Sequence, residues 1–393
     1  MEQPNLAMIP SGYSPRVLYT VIPNNTIGDF TFVRSGNATR INKDGLIETV
    51  DSHVPRLNYD LVNGVPSQCP SLLLEPQSTN LVTNSITGAY GNPPASEINT
   101  TAPDGTITAI IPVPNSTADR YEYSISGGTY ATDTKLTYSW YSKQISQPSS
   151  TYVGNLIAQA LTNATQVGIN IKVKDSINGW AKYSATFNIT DGSASTVIRL
   201  YFGSVVGVGN QSVAYWGHQL EALSYCTSLI TTSGSIASRS AEACNSAGNA
   251  STFNSEQGIL FAEFSYLQNG FVSINDGSNT NRIFLGFSGG QVYAQVRVNL
   301  SVNADMLYGS FSQNTIVKAA IKYKTDDFAL WVNGVERATD NSGSIFPINT
   351  INELSFDNGA SNPFYGNTKD LRYYDTEGMS DTEITNLLTQ LTQ

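Results

Sequence analysis

The sequence predicts a mostly β protein: an N-terminal segment, then two tandem antiparallel β-sandwich modules of the jelly-roll kind, closed by a short C-terminal helix. Three observations point that way. Charged residues make up 13% of the 393, while Tyr (21), Gly (32) and β-branched residues are plentiful. That composition suits strands with uncharged polar faces and is far from a disordered one. Apolar residues alternate in short runs, the period of a half-buried strand. Pairs such as Asn63-Gly64, Gly127-Gly128, Asp191-Gly192 and Asn333-Gly334 punctuate the runs, supplying the turns that join antiparallel strands.

In chain order, residues 1–23 hold four prolines and little periodicity. They read as an extended arm that orders against a partner. Phe30, Phe32 and Thr39–Ile41 alternate as strands do, and Leu72-Leu73-Leu74 forms an apolar run bracketed by Pro70 and Pro76, which bar a helix. About 80 residues of short strands make little core of their own, so residues 1–83 are expected to lean on a neighbouring copy or another protein. Residues 84–223 carry strand candidates at Thr106–Ile111, Arg120–Ser126, Lys135–Ser142, Gly168–Val173, Trp180–Ile189, Val197–Phe202 and Val213–Trp216. One stretch, Asn155–Leu161, reads as helix. Within LTYSWYSK, Tyr138 and Trp140 share one face and Tyr141 the other. Residues 224–257 are Ser/Thr/Gly-rich and read as a linker. Residues 258–393 form the second sandwich, with Asn333-Gly334 as a hairpin turn. Ser380 and Glu383 then make a capping box, and Ile384, Leu387, Leu388 and Leu391 share a helical face.

Composition also excludes functions. A net charge of -10 argues against a nucleic-acid binder; an anionic partner would need a local positive patch. Cys69, Cys226 and Cys244 are far apart, giving neither a disulfide framework nor a zinc pattern, and they fit folding in a reducing cytoplasm. The first residues lack a signal peptide's basic and apolar blocks, and no apolar run is long enough for a membrane span. The Asn-x-Ser/Thr sequons are those expected by chance in so Asn-, Ser- and Thr-rich a chain.

Three strings carry a resemblance. ATRINKDGLIETV with VPRLNYDLVNGVPSQCPSLLLEPQSTNLVTNS resembles a segment of many tailed-phage structural proteins. VAYWGHQLEALSYCTSLITTSGSIASRSAE resembles the ending of carbohydrate-binding jelly-roll modules in such proteins. FALWVNGVE with DLRYYDTEGMSDTEI is similar to concanavalin-like, laminin-G-type domains, a fold with many functions. The resemblance implies a virion component of tail fibre, tail tip or head decoration, made in the host cytoplasm. It implies a virion-attachment role for residues 1–83 alongside other virion proteins, host-surface glycan as the sandwiches' partner, and a homo-oligomer, with a trimer favoured. A purely architectural component and a polysaccharide depolymerase are the alternatives.

The candidate site residues follow from chemistry. Sugars stack on flat aromatic faces flanked by amides and carboxylates. That singles out Tyr130, Tyr141, Tyr152, Trp180 and Tyr183, with Trp180 at a strand start behind Asn178-Gly179; core packing is the plainer role for each. Calcium would use hard oxygens, offered by Asp276 with Asn281 and by Asp357 with Asn358; the plainer role is turn chemistry. No Glu-x-Asp-x-x-Glu glycosidase pattern, Walker loop or triad around His53 or His218 is present, and Glu263 has no acidic partner at the glycosidase spacing, so no catalytic residue is assigned. Arg56 and Glu75, charges in a charge-poor segment, are candidates for a pair that fixes the fold of that segment or its docking surface.

Overall fold

The computed structural model describes residues 2–94, 96–113, 119–145, 158–160, 163–201, 213–359 and 361–393. They are mostly strand, with one α-helix among the described residues, Asp381–Thr392.

The C-terminal sandwich faces a five-stranded sheet against an eight-stranded one. The five run in the order Ser301–Tyr308, Gln291–Val298, Arg282–Ser288, Gly270–Asn275, Glu353–Ser355. Alternation sends Val272, Ile274, Ile283, Leu285, Val292 and Ala294 inward, against Leu260, Ala262, Phe264, Ala319, Ile321 and Leu371 of the other sheet. The Asn333-Gly334 turn joins Phe328–Val332 to Val335–Asp340, both turn residues taking positive φ as a type I′ turn needs. Ser380 caps the helix and Glu383 reaches back to its N–H. Leu387, Leu388 and Leu391 then seal Ile259, Phe261 and Trp331 on the outer face of the eight-stranded sheet.

That eight-stranded sheet is completed by the N-terminal region. Leu6–Met8 pairs antiparallel with Tyr365–Tyr374, Leu6 opposite Tyr373. Ser71–Leu74 pairs with the same strand, Leu72 opposite Thr368, and Leu57–Asn58 follows it. Leu6, Met8, Leu72 and Leu74 are buried in the sandwich core. The arm expected to order on a partner is thus ordered on its own chain, because an open edge strand offers unpaired N–H and C=O groups.

The middle sandwich has a six-stranded sheet, Ser96–Thr100, Ala109–Val113, Val213–Glu221, Lys135–Gln144, Ala181–Ile189, Ala164–Asp175, and a four-stranded one, Tyr90–Asn92, Arg120–Ile125, Thr196–Tyr201, Ala158–Ala160. Leu136, Tyr138, Trp140 and Phe187 fill the space between them with Tyr121, Tyr123 and Ile198. Ala158–Ala160, expected within a helix, is instead a strand paired with Thr196–Tyr201; positions 155–157 and 161 lie outside the described residues. The other face of the six-stranded sheet is covered too. Tyr141, Trp180 and Trp216 pack there against Ile41, Ile47 and Leu61 of the N-terminal region and Leu229. Gly217 sits where this packing is tightest: its φ is +66° and a Cβ would stand 2.8 Å from the Tyr141 ring.

The stretch expected as a linker is built into the structure. Ala237–Arg239 pairs with Ser78–Asn80, and Ala243–Asn245 pairs with Phe30–Val33. Residues 2–83 and 224–257 together form a layer between the two sandwiches, each supplying strands the other lacks.

Candidate functional site

Two features sit where that layer meets both sandwiches: a buried cluster of charges and a cleft beside it.

Arg56 and Glu75 do pair, Nη1 to Oε2 at 2.8 Å, with exposures of 0% and 3%. Three further charges from distant segments join them. Glu242 accepts from Arg56 Nε at 2.8 Å, from Arg56 Nη2, and from Arg34 Nη1 at 2.8 Å. Arg239 Nη1 lies 3.0 Å from Glu75 Oε2. The Ser228 N–H and hydroxyl both donate to Glu75, and the Glu75 N–H donates to Glu242. Burial alone would raise the Glu75 pKa, yet Arg239, Arg56 and the Ser228 donors outweigh it and hold the carboxyl well below its usual range. Burial works against the Arg56 charge as well, and Glu242 with Glu75 reverses the effect and raises its pKa. For Arg34 burial prevails and the pKa is lowered. Next to this cluster Glu221, fully buried, accepts from Ser78, Thr227 and Gln219.

Such a cluster holds chain segments together and cannot reach a partner. The docking expectation for Arg56 and Glu75 is therefore corrected toward its other half: the pair fixes the fold of the N-terminal region, by tying it to residues 228–242. Sequence reading missed Arg34, Ser228, Arg239 and Glu242. For the three charged residues the available signal was the same one that picked out Arg56 and Glu75, an isolated charge in a charge-poor stretch; nothing local marks Ser228.

Beside the cluster lies a cleft of about 280 Å³. Leu61, Val62, Phe264, Leu267 and Ile316 give it apolar walls, and Asp60, Lys174, Lys182, Asn314, Asn367 and Lys369 give it polar groups. Some of these are committed. Lys182 donates to the Thr227 carbonyl, Lys174 lies 3.6 Å from Asp60, and Asn367 Oδ1 accepts from Ser71. Lys369 forms no ion pair among the described residues. Apolar walls with a few directed polar groups, at a junction between modules, are the usual make-up of a ligand pocket.

The aromatic candidates are not brought together here. Trp180 (2% exposed) and Tyr141 (3%) are buried beneath the N-terminal region, with Trp180 Nε1 donating to the Thr101 carbonyl and the Lys182 ammonium 5.5 Å from the Tyr141 ring. Neither face is open to a sugar, which corrects their assignment. Tyr183 is half-buried and stacks on Trp140 at 6.1 Å. Tyr130, half-buried, lines a second cavity with Leu81 and Leu223. Tyr152 lies outside the described residues.

The two calcium candidates prove to be neighbours: a Cβ on Gly359 would meet the Ser278 carbonyl at 2.1 Å. Their oxygens, however, close turns. Asp276 Oδ1 accepts from the Ser278 N–H and hydroxyl, and its Oδ2 from Asn281. Asn281 Oδ1 accepts from the Asn299 N–H. Asp357 accepts from the Gly359 N–H and from Asn245, and Asn358 Oδ1 from Ser361. The Arg282 guanidinium also donates to the Asn358 carbonyl at 2.9 Å, placing a fixed cation at this rim. Among the described residues no three His, Cys, Asp or Glu side chains converge as a metal group. The turn role is the one these side chains perform.

No protein-family model matches the chain, and no curated protein does. Among solved structures, domains LG4-5 of the mouse laminin α1 chain align at 12% identity, covering 64% of this chain and 85% of theirs, with a TM-score of 0.25. At that score the alignment carries no argument; the two-sandwich architecture rests on the strand pairing described above. His218 adds no catalytic group. It is fully buried between Tyr121 and Tyr138, its Nδ1 2.5 Å from the Tyr138 hydroxyl, and burial lowers its pKa to about 3. No helix among the described residues is long and apolar enough to cross a membrane.

Proposed function

We propose that this chain is a non-enzymatic adhesin of a tailed-phage virion, binding host-surface glycans. The observation that carries the reading is the cleft at the junction of the N-terminal layer and both sandwiches, with apolar walls, amides at Asn314 and Asn367, and Lys369, which has no ion pair among the described residues. Those groups suit a hydroxylated ligand with one apolar face. Docking to other virion proteins falls to what the N-terminal region leaves outside, where Tyr19, Val21, Ile27 and Val33 are exposed. Single sites of this kind bind weakly, so the reading includes several copies, a trimer in first place, to supply avidity.

A second reading, a purely architectural component, is favoured by one observation: Trp180 and Tyr141, the best sugar platforms by sequence, are core residues. A glycan array probed with purified full-length protein separates the two. The adhesin reading expects a defined set of bound glycans and their loss in Lys369→Ala. An array with no signal from multivalently displayed protein leaves the architectural reading.

A further inference from the structure

Much of the outer face of the five-stranded sheet is packed, Ser355, Ser273 and Asn275 being fully buried, yet it carries two adjacent arginines. Register fixes which side chains share it: Ser355, Ser273, Phe284, Gln295 and Asp305 lie in one row across the five strands. The neighbouring rows are Phe271, Gly286, Tyr293 and Leu307 on one side, and Glu353, Asn275, Arg282 and Arg297 on the other. Gly286 admits the Phe271 ring, since a Cβ there would stand 2.7 Å from its Cδ1. Phe271, Phe284 and Tyr293 form an aromatic group, with Phe284 and Tyr293 edge to face at 5.0 Å.

The polar groups on this face are incompletely satisfied. Gln295, 7% exposed, donates from Nε2 to Tyr293 and Asp305, while its Oε1 has no hydrogen-bond partner. Arg282, also 7% exposed, lies directly opposite Arg297. Arg282 spends one nitrogen on the Asn358 carbonyl, and Arg297 makes a 3.5 Å contact to the Asn279 carbonyl. The Nε atoms of both have no partner. Neither arginine has a carboxylate within salt-bridge distance among the described residues; Glu353, two strands away, accepts from Ser355. Burial and the Arg297 charge both lower the Arg282 pKa.

The contrast with the buried cluster is what gives this weight. Arg34, Arg56 and Arg239 each meet a carboxylate. Two adjacent, partly desolvated guanidinium groups without one are costly. A fork of N–H donors is the geometry that takes a carboxylate.

We propose that this face is a second saccharide site, built for a sugar that carries a carboxylate, with the terminal nitrogens of Arg282 and Arg297 taking the carboxylate and the exposed Asp305 accepting from ring hydroxyls. Tyr293 supplies the apolar edge beside them. The ligand class rests on the glycan-binding reading above, but the surface is a different one, and each can fail alone.

The test is titration of the full-length protein with sodium glucuronate, N-acetylneuraminate and glucose, read by calorimetry and by NMR of the ligand. An acidic sugar is expected to bind about tenfold more tightly than glucose, the size of a charge-assisted contact, and more weakly as salt is raised. Arg297→Gln, at a half-buried position, is expected to remove the preference with its melting curve unchanged. Arg297→Lys is expected to restore part of it. Lys369→Ala is expected to leave it intact. Equal binding of glucuronate and glucose, no binding of either acid, or an unchanged preference in Arg297→Gln overturns the proposal. Glycan-array binding that persists without an acid preference sinks this site and leaves the adhesin reading. An acid preference that survives beside an empty array does the reverse.

Discussion

Replacing Glu242 by Gln tests whether the buried charges hold the molecule together. Glu242 accepts from Arg34 Nη1, from Arg56 Nε and Nη2, and from the Glu75 N–H. Gln keeps the shape but loses the charge, and its NH₂ group turns a donor toward donors. Arg56 would retain Glu75, whereas Arg34 would be left with the carbonyls of Gly36, Val50, Asp51 and Val54. Breaking a buried pair from one side costs about 3–5 kcal/mol, a large part of the roughly 5–15 kcal/mol that holds a typical domain folded. Urea unfolding of Glu242→Gln should therefore show a midpoint well below wild type. Hydrogen exchange should show early loss of protection in Ala243–Asn245 and Phe30–Val33, the strands the cluster anchors. Glu48→Gln, which breaks a surface pair with Arg40, serves as the control and is expected to cost about 0–1 kcal/mol. A Glu242→Gln protein within about 1 kcal/mol of wild type would refute the clamp, because that is the value of a solvated pair.

Acid should destabilise the protein in two stages. The folded His218 titrates near pH 3 against an ordinary value of 6.5, so the unfolded chain binds the proton first. Stability is complete above pH 6.5 and falls by about 1.4 kcal/mol per unit on the way down to 3; His218→Gln should flatten that part of a stability-versus-pH curve. Below the ordinary carboxyl value of 4.5, the depressed Glu75 pKa adds its own loss, since the unfolded chain again protonates first. Trp180→Ala should cost about 3–5 kcal/mol in thermal or urea unfolding and leave glycan binding by the folded fraction unchanged; selective loss of binding at full stability would restore Trp180 as a sugar platform. A fragment of residues 243–393 should be insoluble or lack cooperative unfolding, because Leu6, Met8, Leu72 and Leu74 complete its core; a soluble fragment with a sharp melting transition would show that the C-terminal sandwich stands alone.

Local chemistry made much of this fold legible. The face assignment in Lys135–Gln144 was correct: Tyr138 and Trp140 point between the sheets and Tyr141 away from them. The Asn333-Gly334 hairpin and the Ser380–Glu383 capping box formed as their residues require. Each depends on neighbours a few positions away, which is why a single sequence reveals them. The aromatics misled as sugar platforms for a related reason. Alternation says that Tyr141 has its own face, but not that Ile41 and Ile47, a hundred residues earlier in the chain, will cover it.

The sequence by itself therefore determined the β class, the two sandwiches, the turns and the closing helix, all consequences of period and of backbone preference. Tertiary structure alone decided which strands close the sheets and which charges meet. Leu6–Met8 finds Leu371–Tyr373, and Arg56 finds Glu242, 186 positions away. Nothing local favours such partners. They are selected when open sheet edges must be paired and buried charges must be compensated, and those demands exist only once the chain has folded around them.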